Sequence, residues 1–220
     1  MYREGNLNMK NTQEINDFKE ILRGRRSIRN YDTSIKISKE EMAEILEEAT
    51  LAPSSVNMQP WRFVVIESEE GKAKLAPLAK FNKLQVETSS AVIAIFGDLN
   101  NFDYCEEIYS KAVELGYMPL DVKERQTSFI LDYASKLDPQ VNRETVLIDG
   151  GLVAMQLMLV ARSHGYDTCP IGGFEKDKIA EAFDLDKDSY VPVMLVSIGK
   201  AADAGYKSVR LPINKVAQWK

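Results

Sequence analysis

The sequence predicts a single α+β domain, and three of its features do so. Short runs rich in aromatic and β-branched residues, Trp61–Glu67, Ala91–Phe96 and Val191–Ile198, have the length of strands. Helical patterns come first, and the strands are interleaved with long helices. The Gly-x-Gly-x-x-Gly turn that a doubly wound dinucleotide-binding sheet carries after its first strand is absent. No internal repeat or low-complexity linker divides the 220 residues. One domain over 1–220 is therefore expected, with a flexible tail over 1–11 and a C-terminal arm over 201–220.

The first helix is expected from about Asn11, opened by the pair Asn11 and Glu14, to about Leu22, with Ile15, Phe18, Ile21 and Leu22 on one face. Ser38-Lys-Glu-Glu41 is a capping box. Met42, Ile45, Leu46 and Ala49 follow at helical spacing until Ala52-Pro53 stops the helix. The strand Trp61–Glu67 follows Pro60, and helical pattern resumes over Glu69–Leu78. Ala91–Phe96 is apolar without alternation, the pattern of a central strand, and ends at Gly97-Asp98. Asn101–Leu137 is charged and tyrosine-bearing, with helical stretches on either side of Gly116–Pro119. Asn142–His164 carries a long helix, apolar nearly all round from Leu152 to Ala161, which belongs at the centre of the molecule or in a subunit interface. Gly165 ends it. Tyr166–Cys169 reads as extended, Glu175–Phe183 as a short helix and Val191–Ile198 as a strand. The arm contains Pro212 and little periodicity, so it needs a surface to lie against, in this subunit or another.

Composition narrows the function classes. Lysine plus arginine number 28 against 33 acidic residues, a formal charge of −5. Nucleic acid and anionic membranes both require a large basic surface, so neither is an expected partner. Cys105 and Cys169 are too few for a disulfide scaffold, and the one histidine, His164, leaves no room for a multi-histidine metal site. No apolar signal-peptide core opens the chain, and the richest apolar stretch, Gly150–Ala161, is too short to span a bilayer. The cytoplasm is the expected location.

Three segments could carry chemistry. Arg23-Gly-Arg25-Arg26-Ser27-Ile28-Arg29 places four arginines in seven residues of an acidic protein. It is either a solvated cluster paired with acids such as Asp32 or an anion site, since arginine forks match phosphate geometry and serine adds a short donor. If extended, the segment points Arg25 and Ser27 one way and Arg26 the other. Ala52-Pro-Ser-Ser-Val-Asn-Met-Gln-Pro-Trp61 is either a turn or a set of hydroxyls and amides for a polar aromatic ligand. A serine nucleophile is disfavoured, because Ser54 and Ser55 lack a Gly-x-Ser-x-Gly elbow and only His164 could serve as base. Cys169-Pro-Ile-Gly-Gly-Phe174 is either a turn or a place where paired glycines let a ligand approach backbone N–H groups. With no second cysteine at Cys-x-x-Cys spacing, Cys169 reads as a buried inert thiol.

Together, Arg25-Arg-Ser-Ile-Arg29, Pro53-Ser-Ser-Val-Asn-Met-Gln-Pro-Trp61 and Pro170-Ile-Gly-Gly-Phe174 resemble the ordered signature of the FMN-dependent nitroreductase family, from about Glu20 to Leu211. The resemblance implies an α+β fold with a central, mostly antiparallel sheet flanked by helices. It also implies an intertwined homodimer with two FMN molecules at the interface and the C-terminal arm wrapping the partner. By position, Arg25, Arg26, Ser27 and Arg29 would hold the ribityl and phosphate end of FMN, with Lys207 and Arg210 beside them. Pro53, Ser54, Ser55 and Asn57 would come from the other subunit. Asn82 and Gln85 would contact the ring, Gln85 standing where some relatives have lysine. In Pro170, Ile171, Gly172 and Gly173, the Gly173 N–H would point to flavin N5, and Gly172 replaces a glutamate of some members.

The activity implied is two half-reactions through one site. NAD(P)H delivers hydride to flavin N5, leaves, and is replaced by a nitro, quinone or related acceptor. The flavin then carries the chemistry, so neither a catalytic acid or base nor a nucleotide fingerprint is required. The alternatives are a non-catalytic FMN store or redox sensor, and a specialised dehalogenase or dehydrogenase relative. Tyr104, Tyr109, Tyr117, Phe129 and Tyr133 form either a lid over the acceptor or ordinary packing.

Overall fold

The structure, a computed structural model, describes residues 17–220. The expected tail over 1–11 and the Asn11–Glu14 opening lie outside the described residues. The first helix, α1 (Phe18–Gly24), begins instead at Asp17, whose carboxylate accepts from the Glu20 N–H at 2.9 Å. In α2 (Lys39–Ala49) the Ser38 hydroxyl accepts from the Glu41 N–H as the capping box requires, while the Glu41 carboxylate is turned to the Tyr166 hydroxyl at 2.7 Å.

Strand β1 (Trp61–Ile66) leads to α3 (Glu69–Leu75). The helix expected to Leu78 breaks early, because Pro77 stands in it and Ala79 leaves helical geometry. A 3₁₀ turn over Ala76–Asn82 then opens α4 (Lys83–Thr88), which the sequence pattern did not reveal. Strand β2 (Ala91–Asp98) is buried at every residue, as its unbroken apolar run predicts. Helices α5 (Cys105–Glu114) and α6 (Leu120–Lys136) flank the Gly116–Pro119 turn. Next come α7 (Pro139–Ser163), β3 (Asp167–Ile171), α8 (Lys176–Ala182), β4 (Tyr190–Gly199) and a final turn of helix, α9 (Ile213–Val216).

The strands form one antiparallel sheet in the order β1-β2-β4-β3. Period-two alternation divides its faces. Ile93, Ile95, Val196 and Ile198 meet α2 and α7 in one core, with Ile45, Ala49, Val153 and Leu157. Val92, Phe96 and Leu195 meet Leu75, Val86 and Ile179 of α3, α4 and α8 in the other. A small third core of Met58, Cys105, Tyr109 and Ile130 joins the loop before β1 to the α5–α6 hairpin. Beyond β3, the chain after α1 continues the sheet edge: Ser27 forms a parallel bridge to Thr168, and the Ile28 N–H donates to the Thr168 carbonyl at 3.1 Å. A second bridge, Tyr31 to Ala201, brings the start of the arm alongside.

Helix α7 is long and apolar enough, by length and composition, to cross a membrane. Its contacts make it a core helix on one side, with Val146, Val153, Ala154, Leu157 and Ala161 buried against the sheet and α2. The opposite stripe, Ile148, Leu152 and Met155, is exposed in the single chain. Close packing depends on two glycines. A Cβ on Gly97 of β2 would lie 2.1 Å from Val146 Cγ1, and one on Gly150 of α7 would lie 2.7 Å from Val193 Cγ2. Gly97→Ala is therefore expected to push α7 off the sheet and to cost on the order of 1–3 kcal/mol, measured by urea unfolding. An unchanged midpoint would mean that Val146 gives way freely.

Candidate functional site

The arginine segment and the arm, nearly two hundred residues apart in sequence, meet in space. Arg25, Arg26, Ser27, Arg29, Tyr206, Lys207, Ser208 and Arg210 line a cavity of about 260 Å³. An adjoining cavity of about 360 Å³ shares Arg25, Arg26, Lys207, Ser208 and Arg210, and adds Leu22 and Arg23. Among the described residues, no acidic side chain lines either one. This outcome departs from a solvated cluster, in which neighbouring carboxylates would neutralise the arginines. Among the expected partners, Asp32 is turned instead to Ser34, whose hydroxyl and N–H donate to it. The alternating geometry expected for Arg25 and Arg26 is not realised, since both line the same cavities. Arg26 folds back so that Nη1 donates to the Arg23 and Arg25 carbonyls at 2.7 and 2.9 Å, capping the C-terminus of α1 with positive charge. Gly205 brings the arm close: its φ is +64°, and a Cβ there would lie 2.8 Å from Ile28 Cδ1.

A second cluster surrounds the paired glycines after β3. Asn82 Nδ2 donates to the Gly173 carbonyl at 3.1 Å, and Gln85 Nε2 donates to Asn82 Oδ1 at 3.1 Å. The space over Gly172 is open, with no heavy atom within 4 Å of an added Cβ. Cys169 joins this cluster to the arginines. Burial pushes its thiol above the usual cysteine range, while Arg29, Gln85, Ser27 and Arg25 work in the opposite direction. A thiol with a raised pKa is a poor nucleophile, in keeping with the inert role. Cys105 is likewise buried and free.

The third segment is a strained loop on a different part of the molecule. Ser55–Asn57 forms a 3₁₀ turn in which Val56 has φ +42° and ψ +30°, with Asn57 and Gln59 at φ +58° and +47°. A β-branched residue in the left-handed region is a genuine outlier. The loop is held from several sides. The Ser55 N–H donates to Asp149 Oδ2 at 3.0 Å, the Tyr109 hydroxyl donates to the Val56 carbonyl at 3.2 Å, and Ser54 Oγ accepts from the Gln59 N–H at 2.9 Å. Arg62 donates to the Gln59 carbonyl at 3.0 Å, pairs with buried Asp98 at 2.8 Å and lies 4.6 Å from the Tyr104 ring centre. Pro53, Ser55, Val56 and Asn57 face solvent. None of the described contacts joins them to the arginine cavity or to the Gly172–Gly173 cluster.

His164 pairs with Glu48 at 3.1 Å rather than with Ser54 or Ser55, which removes the serine-nucleophile arrangement. The expected lid residues divide: Tyr109 is buried and hydrogen-bonded, whereas Tyr117, Phe129 and Tyr133 are exposed. Asp149, Tyr109 and Arg62 were not singled out as site residues from sequence. Asp149 did leave a signal, as a lone carboxylate in the otherwise apolar and glycine run Val146–Ala154. Its burial pushes the carboxyl above the ordinary aspartate range, partly offset by the Ser55 N–H.

A cavity lined by cations, joined through Cys169 to a cluster of amides and glycines, suits a phosphorylated small molecule with a polar ring. The chain belongs to the nitroreductase family, whose model matches residues 22–200. It is 72% identical over 207 residues to YdgI of Bacillus subtilis (strain 168), provisionally assigned as an NAD(P)H nitroreductase, covering 94% of this chain and 99% of that one. It is 35% identical over 196 residues to the CLA biosynthesis enone reductase of Lactiplantibacillus plantarum, covering 89% and 90%. Among solved structures it is similar to a provisionally assigned nitroreductase of Exiguobacterium sibiricum 255-15 in complex with FMN, with a TM-score of 0.94, 68% identity, and 95% and 100% of the two chains covered. The expected α+β architecture, with its antiparallel sheet flanked by helices, is the one found.

Two outcomes follow from the loop. Val56→Gly relieves left-handed strain worth about 1–2 kcal/mol and gives back part of it as unfolded-chain entropy. A net gain of roughly 0.5–1 kcal/mol in urea unfolding is expected, and a loss would mean that the Val56 side chain is held by packing. The raised Asp149 carboxyl contributes stability that is full below the ordinary aspartate pKa of about 3.9 and lost as pH rises through its higher folded value. Asp149→Asn lacks that loss, so its stability relative to wild type should improve between about pH 4 and pH 7. A constant difference over that range would refute the direction of the shift.

Proposed function

We propose that the chain is a cytoplasmic, homodimeric FMN-dependent oxidoreductase that takes hydride from NAD(P)H and passes the electrons to a nitro, quinone or related acceptor. The observation that carries this is the convergence of Arg25, Arg26, Ser27, Arg29, Lys207 and Arg210 on one cavity, with Cys169 joining them to the cluster of Asn82, Gln85 and Gly173. These residues fit FMN. The cations would neutralise the phosphate dianion, and the guanidinium forks and the Ser27 hydroxyl would fix its oxygens. Asn82 and Gln85 would meet the polar edge of the ring, while the Asn82 bond to Gly173 holds steady the residue whose N–H is offered to N5. FMN bound there supplies the redox chemistry, accepting hydride from NAD(P)H and delivering it to the acceptor in turn. Positive charge and backbone donors near the ring favour an anionic reduced flavin, an electrostatic contribution that asks no side chain to transfer a proton.

In this reading a second copy completes the site: the Pro53–Asn57 loop, exposed and away from its own arginine cavity, serves the partner's. Two apolar surfaces support such an assembly. One is the exposed stripe Ile148, Leu152 and Met155 of α7, and the other is the arm, with Val209, Leu211, Ile213, Val216 and Trp219 exposed. An obligate interface of this kind buries roughly 2,000 Å² or more, and the arm would lie across the partner.

The purified protein is expected to be yellow, dimeric in sedimentation and bleached anaerobically by NADPH or NADH. Stable flavin colour under both nicotinamides would make it a flavin store instead. Arg25→Ala removes a charge-assisted bond to the phosphate and should weaken FMN on the order of 2–5 kcal/mol, roughly 30-fold to several thousand-fold. Arg25→Lys should fall between, and riboflavin, which has no phosphate, should bind all three proteins alike. Fluorescence titration with both flavins checks this; equal losses for both would overturn the phosphate assignment.

A further inference from the structure

We infer that Asp149 and Tyr109 are positioning residues for the flavin, acting through the Ser55–Asn57 backbone; this rests on the assignment of that loop to the partner's FMN site. Three non-glycine residues within five positions take left-handed φ values, Val56 among them. A turn needed only to connect α2 to β1 has no reason to hold a β-branched residue there, since glycine adopts that geometry without penalty. Strain of this kind persists only where the surroundings over-determine it, and it gathers at sites with a function.

The surroundings here are specific. The atoms flanking the outlier are each held by a side chain from a distant helix. Asp149 of α7 holds the Ser55 N–H at 3.0 Å, and Tyr109 of α5 holds the Val56 carbonyl at 3.2 Å. Met58, two residues on, is plugged into the small core with Tyr109, Cys105 and Ile130. Ser55, Val56 and Asn57, by contrast, are outside it, with Val56 42% exposed despite its apolar side chain. The strain therefore presents these residues rather than buries them. Asp149 is itself only 4% exposed, so it reaches a ligand through the peptide it holds. Tyr109 extends the linkage to the α5–α6 hairpin, whose Tyr117 and Phe129 are exposed.

The test uses the full-length apo-protein titrated with FMN and followed by flavin fluorescence, with the melting temperature of each apo variant measured alongside. Asp149→Leu removes the acceptor at similar volume, Asp149→Asn keeps an acceptor without charge, and Tyr109→Phe removes only the hydroxyl. Asn57→Ala tests whether the loop touches flavin at all. The expected result is FMN binding weakened about tenfold or more in Asp149→Leu and about 3- to 10-fold in Tyr109→Phe, from one lost hydrogen bond. Asp149→Asn should recover most of the loss, and the Tyr109→Phe melting temperature should stay near wild type. If Asn57→Ala weakens FMN while Tyr109→Phe and Asp149→Asn or Leu do not, the loop binds flavin without these two residues and the inference is wrong. If Asn57→Ala leaves FMN unchanged, the loop assignment itself fails and the inference falls with it. Should Asp149→Leu not fold, Tyr109→Phe alone decides, because the phenyl ring keeps its packing.

Discussion

The close seating of α7 on the sheet is the constraint on which the rest of the molecule depends. Gly97 and Gly150 remove the atoms that would collide with Val146 and Val193, and the helix then lies along β2 and β4 near enough to exclude water. Three consequences follow from this one contact. The buried stripe of α7 completes the core with α2, the opposite stripe is left as an apolar surface, and Asp149 is carried to the loop before β1. A helix held further out would lose both the dispersion contacts and the reach of that carboxylate. Core packing and site geometry are thus set by the same two glycines.

Electrostatics makes the arginine cavity a favourable place for an anion. Five cations share a small volume without an acid among them, and their mutual repulsion works against the folded chain. Backbone pairing keeps them together: Ser27 bridges Thr168, and Tyr31 bridges Ala201. Arg26 relieves part of its own charge by capping α1. An anion entering the cavity removes the remaining repulsion, so ligand binding and stability are linked there. The same edge carries the chain on to Gly172 and Gly173, so the arginine segment and the amide–glycine cluster flank β3.

The loop before β1 follows the opposite logic. No charge repulsion has to be relieved; instead, backbone strain is held by hydrogen bonds from three elements and by the Met58 anchor. Rigidity of this kind lowers the ordering cost that a flexible loop would incur on each binding event.

Local chemistry accounts for what could be read from the residues in order. The unbroken apolar run of β2 announced a strand paired on both sides, and Ser38 announced the start of α2. The long apolar helix announced a place at the centre of the molecule, where one of its stripes lies in the core. Arg25–Arg29, Pro53–Trp61 and Pro170–Phe174 pointed to the family because each motif is short and contiguous. The α4 helix was hidden by the proline and the irregular turn before it. The roles of Asp149, Tyr109 and Arg62 were also out of reach: the first two act on backbone atoms 94 and 53 residues away, distances that no periodicity records, and Arg62 acts on a carbonyl whose orientation only the folded turn sets. Sequence by itself determined the strands, most of the helices, the candidate ligating residues and the family. The tertiary structure alone decided that the arginine segment and the arm share one cavity, that Arg25 and Arg26 both line it, and that the loop is strained. Those facts arise from packing between segments that are remote in sequence, where the energy of each contact belongs to neither segment alone.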